Sequence, residues 1–500
     1  MWSGRLDIMK KVVIIGGGIS GLTAGIYLQF AGFETIILEK NRVPGGECMG
    51  WKREGFTIDN CIRWLTDSKD GSHMNQLWKN IGMLGGDVKL YERDAFFSFS
   101  MNGKTVTFWR DLERTRQELL ELAPEDTENI EKLITNVRKA ECRHVPIQKP
   151  MDKMGIKDFM KMAASMKEVP AVEKAYKGMS ITDLAASFKN PIISKALRQM
   201  VFEDNRASSF IFSYAAITGG NGDIPLGGSL AASLRIADRY RLLGGELRLG
   251  TPVRNVVINK NRATGVVLEG GYQIEADYVI CATDVNHIFT RLLPNKYMPK
   301  SLKERFKDTD NYSIYSGFHV AFSIDEKGIV PSGTNFFDCQ EFSIARSKVD
   351  TFRVTCFDYD PSLSPEGKSV IQVQIQQRSD DCEYWVRLRA TDSLAYEKRK
   401  MEYAKLLQNI VEKEFPQLVG KIRMLDAWTP ATYVRFCNAY KGAYMAFASG
   451  KNAKSGNIPG VVKGLENVFL AGQWVIGSGG LPLASAAGRF AAWRIEKKES

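Results

Sequence analysis

The order of apolar and polar residues along this 500-residue chain predicts alternating strands and helices near both of its ends. Residues 11–15 form a β-branched run, helical spacing of apolar residues continues to about residue 30, and a second apolar run covers residues 34–38. Two parallel strands joined by a helix have this pattern. Near the other end, residues 467–482 predict a strand and a glycine-rich turn, followed by a helix over about residues 483–495.

The middle of the chain carries longer elements of both kinds. Residues 95–100 and 104–109 flank an Asn-Gly pair, which predicts a hairpin. The other predicted strands cover residues 246–249, 253–259, 263–268, 278–282, 313–324, 352–357 and 370–376. The predicted helices cover residues 112–140, 181–202, 229–242 and 393–415.

The turn after the first strand contains a G-x-G-x-x-G arrangement of Gly16, Gly18 and Gly21. Such glycines permit a tight turn, close approach of the backbone to a pyrophosphate and close packing of helix on strand. The helix N-terminus offers free N–H groups to phosphates. Glu39 follows the second strand, where a carboxylate can accept a hydrogen bond from a ribose hydroxyl. The sequence therefore predicts a dinucleotide-binding site.

Two further features favour FAD as the dinucleotide. Pro44-Gly45-Gly46 follows Glu39 closely and lets the chain pass the pyrophosphate from the other side, where NAD-dependent dehydrogenases usually continue into another βα unit. The turn at residues 477–480 places a second helix N-terminus where it can face a flavin. The sequence contains no second strand–GxGxxG–helix unit, so no separate nicotinamide domain is expected.

These motifs resemble those of the phytoene desaturase and carotenoid isomerase family, which is related to amine oxidases and GDP-dissociation inhibitors. The resemblance covers residues 11–493. It rests on Gly16-x-Gly18-x-x-Gly21, Pro44-Gly45-Gly46, Gly219-Gly220-Asn221-Gly222, Asp360-Pro361-Ser362, Thr429-Pro430, Tyr440-Lys441-Gly442, Ala471-Gly472-Gln473-Trp474 and Gly479-Gly480-Leu481-Pro482. Two positions depart from the family pattern. Glu47 stands where a basic or small residue is frequent, and Asp59-Asn60-Cys61 replaces Asp-x-Gly.

The resemblance implies an α/β protein with a Rossmann-type, GR2-like FAD-binding domain and a discontinuous α+β substrate domain on a mixed sheet. The FAD-binding domain is expected at residues 7–87, 222–286 and 457–497, and the substrate domain at 88–221 and 287–456. In related folds, the strand at Val253 receives the adenine, and Ala282-Thr283 passes the dinucleotide. The expected FAD contacts are Gly16, Gly18, Ile19, Ser20, Gly21, Glu39, Lys40, Gly45, Gly46, Glu47, Val253, Ala282, Thr283, Gly472, Gln473, Trp474, Gly480, Leu481 and Pro482.

The family resemblance also implies chemistry at the flavin N5 atom, by which carbon–carbon bonds of a hydrophobic polyene, isoprenoid or lipid are desaturated, saturated or isomerised. A diffusible partner such as a quinone, oxygen or a nicotinamide would exchange electrons. No sequence motif identifies a catalytic acid or base, and the candidates are Arg63, Trp64 and His287. Two alternatives stay open: an amine-oxidase-like flavoenzyme, and a non-catalytic lipid-binding module akin to GDP-dissociation inhibitors.

Composition limits the partners and the compartment. The net charge is +11, but no dense basic run or nucleic-acid motif occurs, so no nucleic acid is expected. Eight cysteines without a C-x-x-C pair indicate free thiols in a reducing cytoplasm and no metal site. Residues 1–10 lack the apolar core of a signal peptide, and no apolar run approaches the length of a membrane span.

A stripe of lysines in residues 149–166 raises the question of membrane contact. Lys149, Lys153, Lys157 and Lys161 recur every four residues, with methionines and a phenylalanine between them. An amphipathic helix of this kind can lie on an anionic membrane surface. The other interpretation is a solvated helix that covers the substrate domain. The sequence is compatible with either.

Overall fold

The computed structural model describes residues 9–454, 456–477 and 479–500. Within these residues the strands are β1 (Lys11–Ile15), β2 (Glu34–Leu38), β3 (Gly50–Arg53), β4 (Phe56–Asp59), β5 (Leu90–Tyr91), β6 (Ala95–Met101), β7 (Lys104–Trp109), β8 (Ile224–Pro225), β9 (Glu246–Arg248), β10 (Val253–Asn259), β11 (Arg262–Leu268), β12 (Gln273–Glu275), β13 (Tyr278–Cys281), β14 (Tyr315–Ile324), β15 (Gly333–Ile344), β16 (Ser347–Cys356), β17 (Ser369–Arg378), β18 (Ile422–Trp428) and β19 (Val468–Leu470).

The helices of the described residues flank these strands. They are α1 (Ile19–Phe30), α2 (His73–Ile81), α3 (Leu112–Leu122), α4 (Thr127–Ala140), α5 (Ile156–Ser165), α6 (Val169–Ala175), α7 (Ile181–Ala186), α8 (Pro191–Leu197), α9 (Ser208–Thr218), α10 (Gly228–Leu242), α11 (Val285–His287), α12 (Lys300–Lys307), α13 (Ser379–Thr391), α14 (Ser393–Glu414), α15 (Pro430–Cys437) and α16 (Leu481–Glu499). None of them is long and apolar enough to cross a bilayer.

A parallel sheet with the order β19-β13-β1-β2-β9 forms the first layer. Its central strand β1 is apolar and buried, as expected of a parallel strand that is covered on both faces. Helices α1 and α16 pack so closely that a Cβ atom on Gly488 would lie 2.1 Å from the Ser20 carbonyl oxygen. The two ends of the chain therefore meet on this sheet.

A second sheet has the order β18-β14-β17-β16-β15-β6-β7 and is mixed, since β15 pairs with β6 in parallel and the other pairs are antiparallel. Its core lies against α13 and α14. The predicted fold class, a Rossmann-type α/β layer combined with a mixed sheet, is confirmed. The strands of the parallel sheet come from the three ranges assigned to the FAD-binding domain, and those of the mixed sheet from the other two. The domain boundaries themselves stay a prediction, and residues 7 and 8 lie outside the described residues.

Three predicted helices are shorter than expected. The helix over residues 112–140 is divided into α3 and α4 at Pro124, where proline opens a separate short turn. The segment 181–202 contains α7 and α8, and Asn190 caps the second of them in front of Pro191. In the lysine stripe the α-helix begins only at Ile156, after Pro150 and Gly155, so two of the four lysines precede it.

Candidate functional site

A cavity of about 780 Å³ lies at the carboxyl ends of the strands of the parallel sheet and reaches the mixed sheet. Ligands of open α/β sheets bind in this position. We call one part the glycine end; its lining includes Gly16, Gly18, Gly45, Gly46, Gly472 and Gly480. We call the other part the arginine end; its lining includes Arg63, Arg143, Arg198 and Arg353.

The turn between β1 and α1 leaves no room for side chains. Gly16 has a φ of +109°, and a Cβ atom there would lie 2.6 Å from the Ala282 carbonyl oxygen. A Cβ atom on Gly21 would lie 2.0 Å from the carbonyl oxygen of Gly16. Only glycine therefore lets the first turn of α1 pack this closely on the end of β1. The Ser20 hydroxyl oxygen is buried without a hydrogen-bond partner among the described residues. The N-terminus of α1 therefore offers an unused hydroxyl and close backbone approach.

Glu39 is buried at the end of β2 and holds the neighbouring backbone in place. One carboxylate oxygen accepts a hydrogen bond from the Gly17 N–H at 2.8 Å, and the other accepts two from Asn41. The Lys40 ammonium donates to the carbonyl oxygen of Arg435 and to Asn438. This geometry fixes the Glu39 carboxylate on the cavity wall.

The second glycine pair faces the carboxyl-terminal turn across the cavity. Gly45 has a φ of +113°, and a Cβ atom there would lie 2.5 Å from the Cys48 carbonyl oxygen. The Gln473 side chain donates a hydrogen bond of 2.8 Å to the carboxyl group of Glu47, and its oxygen accepts one from the Gly480 N–H. Segments more than 400 residues apart in sequence thus meet at one site.

Two carboxyl groups at the glycine end, those of Glu47 and Asp284, have raised pKa values. Burial raises the pKa of Glu47 from its usual 4.5 to about 8, although the Gln473 hydrogen bond opposes the shift. Burial likewise raises the pKa of Asp284 to about 6, against three backbone hydrogen bonds that favour the carboxylate. The repulsion between these two acids adds to the shift of Glu47. Glu47 is consequently a neutral hydrogen-bonding acid at pH 7.

Comparison with known proteins matches this architecture to a family. The family model described as flavin containing amine oxidoreductase matches residues 19–496.

The chain belongs to the flavin containing amine oxidoreductase family.

Proteins with similar sequences include carotenoid enzymes. The prolycopene isomerase of Daucus carota is 22% identical to this chain, over 97% of the chain and 79% of the relative. The lycopene-forming phytoene desaturase of a Paracoccus species is 26% identical, over 87% of the chain and 86% of the relative. These similarities confirm the predicted family resemblance.

Solved structures share the fold. Putrescine oxidase bound to putrescine aligns with a TM-score of 0.61 and 16% identity, over 98% of this chain and 99% of that one. An oxidoreductase from Methanosarcina mazei aligns with a TM-score of 0.57 and 17% identity, over 97% of this chain and 100% of that one. This member of the flavin containing amine oxidoreductase family is therefore an FAD-dependent oxidoreductase, as the sequence predicted.

The cavity has features that fit an FAD molecule. The unpartnered Ser20 hydroxyl and the free N–H groups of α1 suit a pyrophosphate, and Gly18 and Gly46 keep the opposing backbones free of side chains. Of the expected contacts, every residue except Gly21 lines the cavity. Gly21 lies behind the wall, where it permits the packing of α1. The individual contact assignments stay predictions, and Ser478, part of the predicted carboxyl-terminal turn, lies outside the described residues.

The three catalytic candidates line the cavity but have different surroundings. Arg63 forms an ion pair of 3.2 Å with Asp59 and donates to the Gln372 side chain at 2.7 Å. Trp64 packs edge-to-face on Phe96 with ring centroids 5.7 Å apart. Burial, together with Lys40 and Arg291, lowers the pKa of His287 to about 4, so this imidazole is neutral at pH 7. Their catalytic roles stay predictions.

Eight aromatic residues in or near strands β14 to β16 contribute little to the cavity. Only Phe336 of this set lines it; the others are Tyr312, Tyr315, Phe318, Phe322, Phe337, Phe342 and Phe357. Most of these pack in the cores, because alternation along each strand directs one face into the layer below.

The sequence did not predict a series of polar side-chain contacts that leads from the glycine end to the mixed sheet. The Asn60 side chain donates to the backbone carbonyl oxygen of Glu47, and its oxygen accepts a hydrogen bond from the Tyr433 hydroxyl at 3.0 Å. The Tyr433 ring lies 6.0 Å from that of Tyr444. Tyr433 also lies near His319, whose pKa burial lowers well below its usual value. No spacing in the sequence joins these positions.

The missed arginines include Arg353, which shares a face of β16 with Thr351. A weak signal was available, because Arg353 lies within the predicted strand 352–357, and an arginine between buried apolar residues points to the opposite face.

Proposed function

We propose that this flavoenzyme desaturates, saturates or isomerises carbon–carbon bonds in a hydrophobic polyene, isoprenoid or lipid. The single observation that supports this most is one continuous cavity that joins the glycine end to walls made largely of apolar side chains. Those apolar lining residues include Ile62, Trp64, Val145, Met200, Val201, Phe202, Phe212, Phe336 and Met445.

The relatives agree with such a substrate. Prolycopene isomerase and phytoene desaturase are named for polyenes, and both relatives align with most of this chain. Methionines at a binding surface adapt to irregular apolar ligands, as Met200 and Met445 would here. A cavity of this size and composition suits an elongated apolar molecule.

When bound, FAD supplies hydride or electron transfer at its N5 atom. The chain's own residues would exclude water with the apolar walls and orient the substrate. Neutral Glu47 would hold a proton close to the carboxyl-terminal turn, where Gln473 fixes its position. A diffusible quinone, oxygen or nicotinamide would exchange electrons, since the sequence lacks a second dinucleotide motif.

The charge of the cavity favours this proposal over an amine substrate. The carboxyl groups among the described lining residues are Glu39, Glu47, Asp284 and Glu269. All four belong to the glycine end, and the other end has arginines, which would repel a substrate ammonium group. The alternative of a non-catalytic, GDP-dissociation-inhibitor-like module conflicts with the FAD assignment and with the complete set of glycine turns.

Anaerobic reduction of the flavin, followed by reoxidation with a panel of polyenes, lipids, quinones, nicotinamides and amines, tests the proposal. We expect flavin reoxidation or product isomerisation with a polyene or unsaturated lipid and none with primary amines. Turnover of amines with release of hydrogen peroxide, without any reaction of polyenes, would contradict it.

We also propose that α5 contacts an anionic membrane surface, from which an apolar substrate would be drawn. The helix has no buried residue, and Ile156, Phe159 and Met160 are exposed. Lys157 and Lys161 lie on the same helix, beside these apolar side chains. Exposed apolar residues among lysines are typical of helices that lie in a membrane interface.

Flotation with phosphatidylglycerol vesicles tests the membrane contact. We expect Ile156→Glu to reduce the bound fraction several-fold. Leu394→Glu is the matched control, because Leu394 is 83% exposed and Ile156 81% exposed, and Leu394 lies on another helix. Equal binding of the two variants would contradict a role for α5.

A further inference from the structure

The arginine end of the cavity concentrates positive charge where an apolar substrate would require none. Arg63, Arg143, Arg198 and Arg353 all line it, and no described carboxyl group does. Arg63 is neutralised by Asp59 behind the wall, and Arg143 stacks over the Phe212 ring at 4.7 Å. The remaining two have unsatisfied donors, Arg198 at Nε and Arg353 at two nitrogens.

Arg353 is the least compensated of the four. Its Nε and Nη2 atoms are buried and have no hydrogen-bond partner among the described residues. The Phe336 ring, 5.8 Å from the guanidinium carbon, is an apolar neighbour. Burial and the nearby Arg63 lower the pKa of Arg353 to about 9, so the group remains a cation at pH 7. A buried cation without a partner is unfavourable, and a bound anion would compensate it.

The surroundings of Arg353 provide further groups that suit an anion. Gln374 lies opposite Arg353 in the β16–β17 register, and both line the cavity. Tyr444 also lines it and influences the pKa of Arg353. The Nε and Nη2 donors of a guanidinium lie on one edge and match two oxygens of a single acidic group.

We propose that Arg353 binds the acidic head group of an amphiphilic polyene or lipid, whose chain lies along the apolar walls of the same cavity. This proposal rests on the proposed function and narrows its substrate class from a pure hydrocarbon to an anionic amphiphile. The shared chemistry is an oxyanion, either a carboxylate or a phosphate monoester. Arginine forms two parallel hydrogen bonds with either group.

The binding of cis-parinaric acid, a fluorescent tetraene fatty acid, to the FAD-loaded protein tests the proposal. Its methyl ester provides the uncharged counterpart with the same chain. We expect the acid to bind about tenfold more tightly than the ester, as for a charge-assisted hydrogen-bonded pair. Arg353→Met should remove this preference and leave the affinity for the ester unchanged. Arg353→Lys, which keeps the charge but loses the paired donors, should retain part of the preference.

Arg346→Met is the matched control, since Arg346 is exposed in the turn before β16 and does not line the cavity. It should preserve the preference for the acid. Competition with palmitate and with hexadecyl phosphate identifies the oxyanion. Stronger displacement of parinarate by palmitate indicates a carboxylate, and stronger displacement by hexadecyl phosphate indicates a phosphate monoester. Equal affinities of the wild type for acid and ester, or an equal loss in the Arg346 and Arg353 variants, would overturn the proposal. The proposed function fails if the enzyme turns over no polyene. The binding assay measures affinity alone, so the two failures can be told apart.

Discussion

The two ends of the cavity are built in different ways. At the glycine end, backbone segments approach one another so closely that Cβ atoms on Gly16, Gly21 or Gly45 would clash with carbonyl oxygens. At the arginine end, long side chains from several elements line the cavity, and Arg353 has buried donors without a partner among the described residues.

This difference indicates how each end contributes to function. The glycine end depends on local backbone geometry and is complete without a ligand, apart from a few donors such as the Ser20 hydroxyl. The arginine end is electrostatically incomplete, because buried donors of Arg198 and Arg353 have no partner among the described residues. Substitutions at the glycine end should therefore reduce the stability of the fold. Several substitutions at the arginine end should change only which ligands bind.

The largest effect is expected from Gly21→Ala. The new methyl group would lie 2.0 Å from the Gly16 carbonyl oxygen, so α1 must move away from β1. We expect a loss of about 3 kcal/mol in the free energy of unfolding, with loss of bound flavin, measured by urea unfolding and visible absorbance. Gly270→Ala is the control, because its nearest neighbour beyond the adjacent residues is a Tyr272 ring atom at 3.7 Å. Similar losses of stability in both variants would show that close packing at Gly21 does not hold α1 on the sheet.

At the arginine end, methionine substitutions compare the stability effect of an arginine that has an ion-pair partner with that of an arginine that has none among the described residues. Arg63→Met leaves the buried Asp59 carboxylate without its cation and should reduce the free energy of unfolding by about 2 kcal/mol. Arg353→Met removes an unpartnered cation and should leave stability unchanged or raise it. Denaturant unfolding of both proteins measures this, and a stability loss in the Arg353 variant as large as that for Arg63 would contradict the difference.

Glu47→Gln tests the acid that joins the two ends of the chain. The folded-state pKa of about 8 exceeds the usual 4.5, so the unfolded state releases its proton first as pH rises. The stability of the flavin-free wild type should therefore fall through this window, relative to the variant, by about 1–2 kcal/mol after solvent screening. Parallel stability profiles of the two proteins from pH 5 to about pH 9 would rule out the raised pKa.

Glu39→Gln should have the smallest effect. The amide oxygen can still accept the hydrogen bond from the Gly17 N–H, but the NH2 group cannot accept the two that Asn41 donates, and the charge of a ribose-binding carboxylate is lost. We expect flavin affinity to fall about tenfold, which corresponds to about 1.4 kcal/mol, and the free energy of unfolding to fall by about 1 kcal/mol. Flavin release during dialysis measures this, and unchanged retention would remove Glu39 from the predicted contacts.

The same contrast explains what the sequence could and could not predict. Glycine spacing and the Glu39 position encode backbone geometry within a few dozen residues, so the βαβ unit and its cofactor class were accessible. The approach of Gln473 to Glu47 was expected only through the family resemblance. Arg353 lies opposite Gln374 through strand pairing, and the Tyr433 and Tyr444 rings lie 6.0 Å apart through chain reversal. Neither contact leaves a local spacing in the sequence.

We predict that segments near both ends of the chain surround one FAD molecule. Hydrogen–deuterium exchange of the flavin-free protein, measured with and without added FAD, tests it most directly. FAD should protect the amides of residues 16–21 and of residues 472–482 together, at the same FAD concentration. Protection of the first segment with unchanged exchange in the second would contradict it.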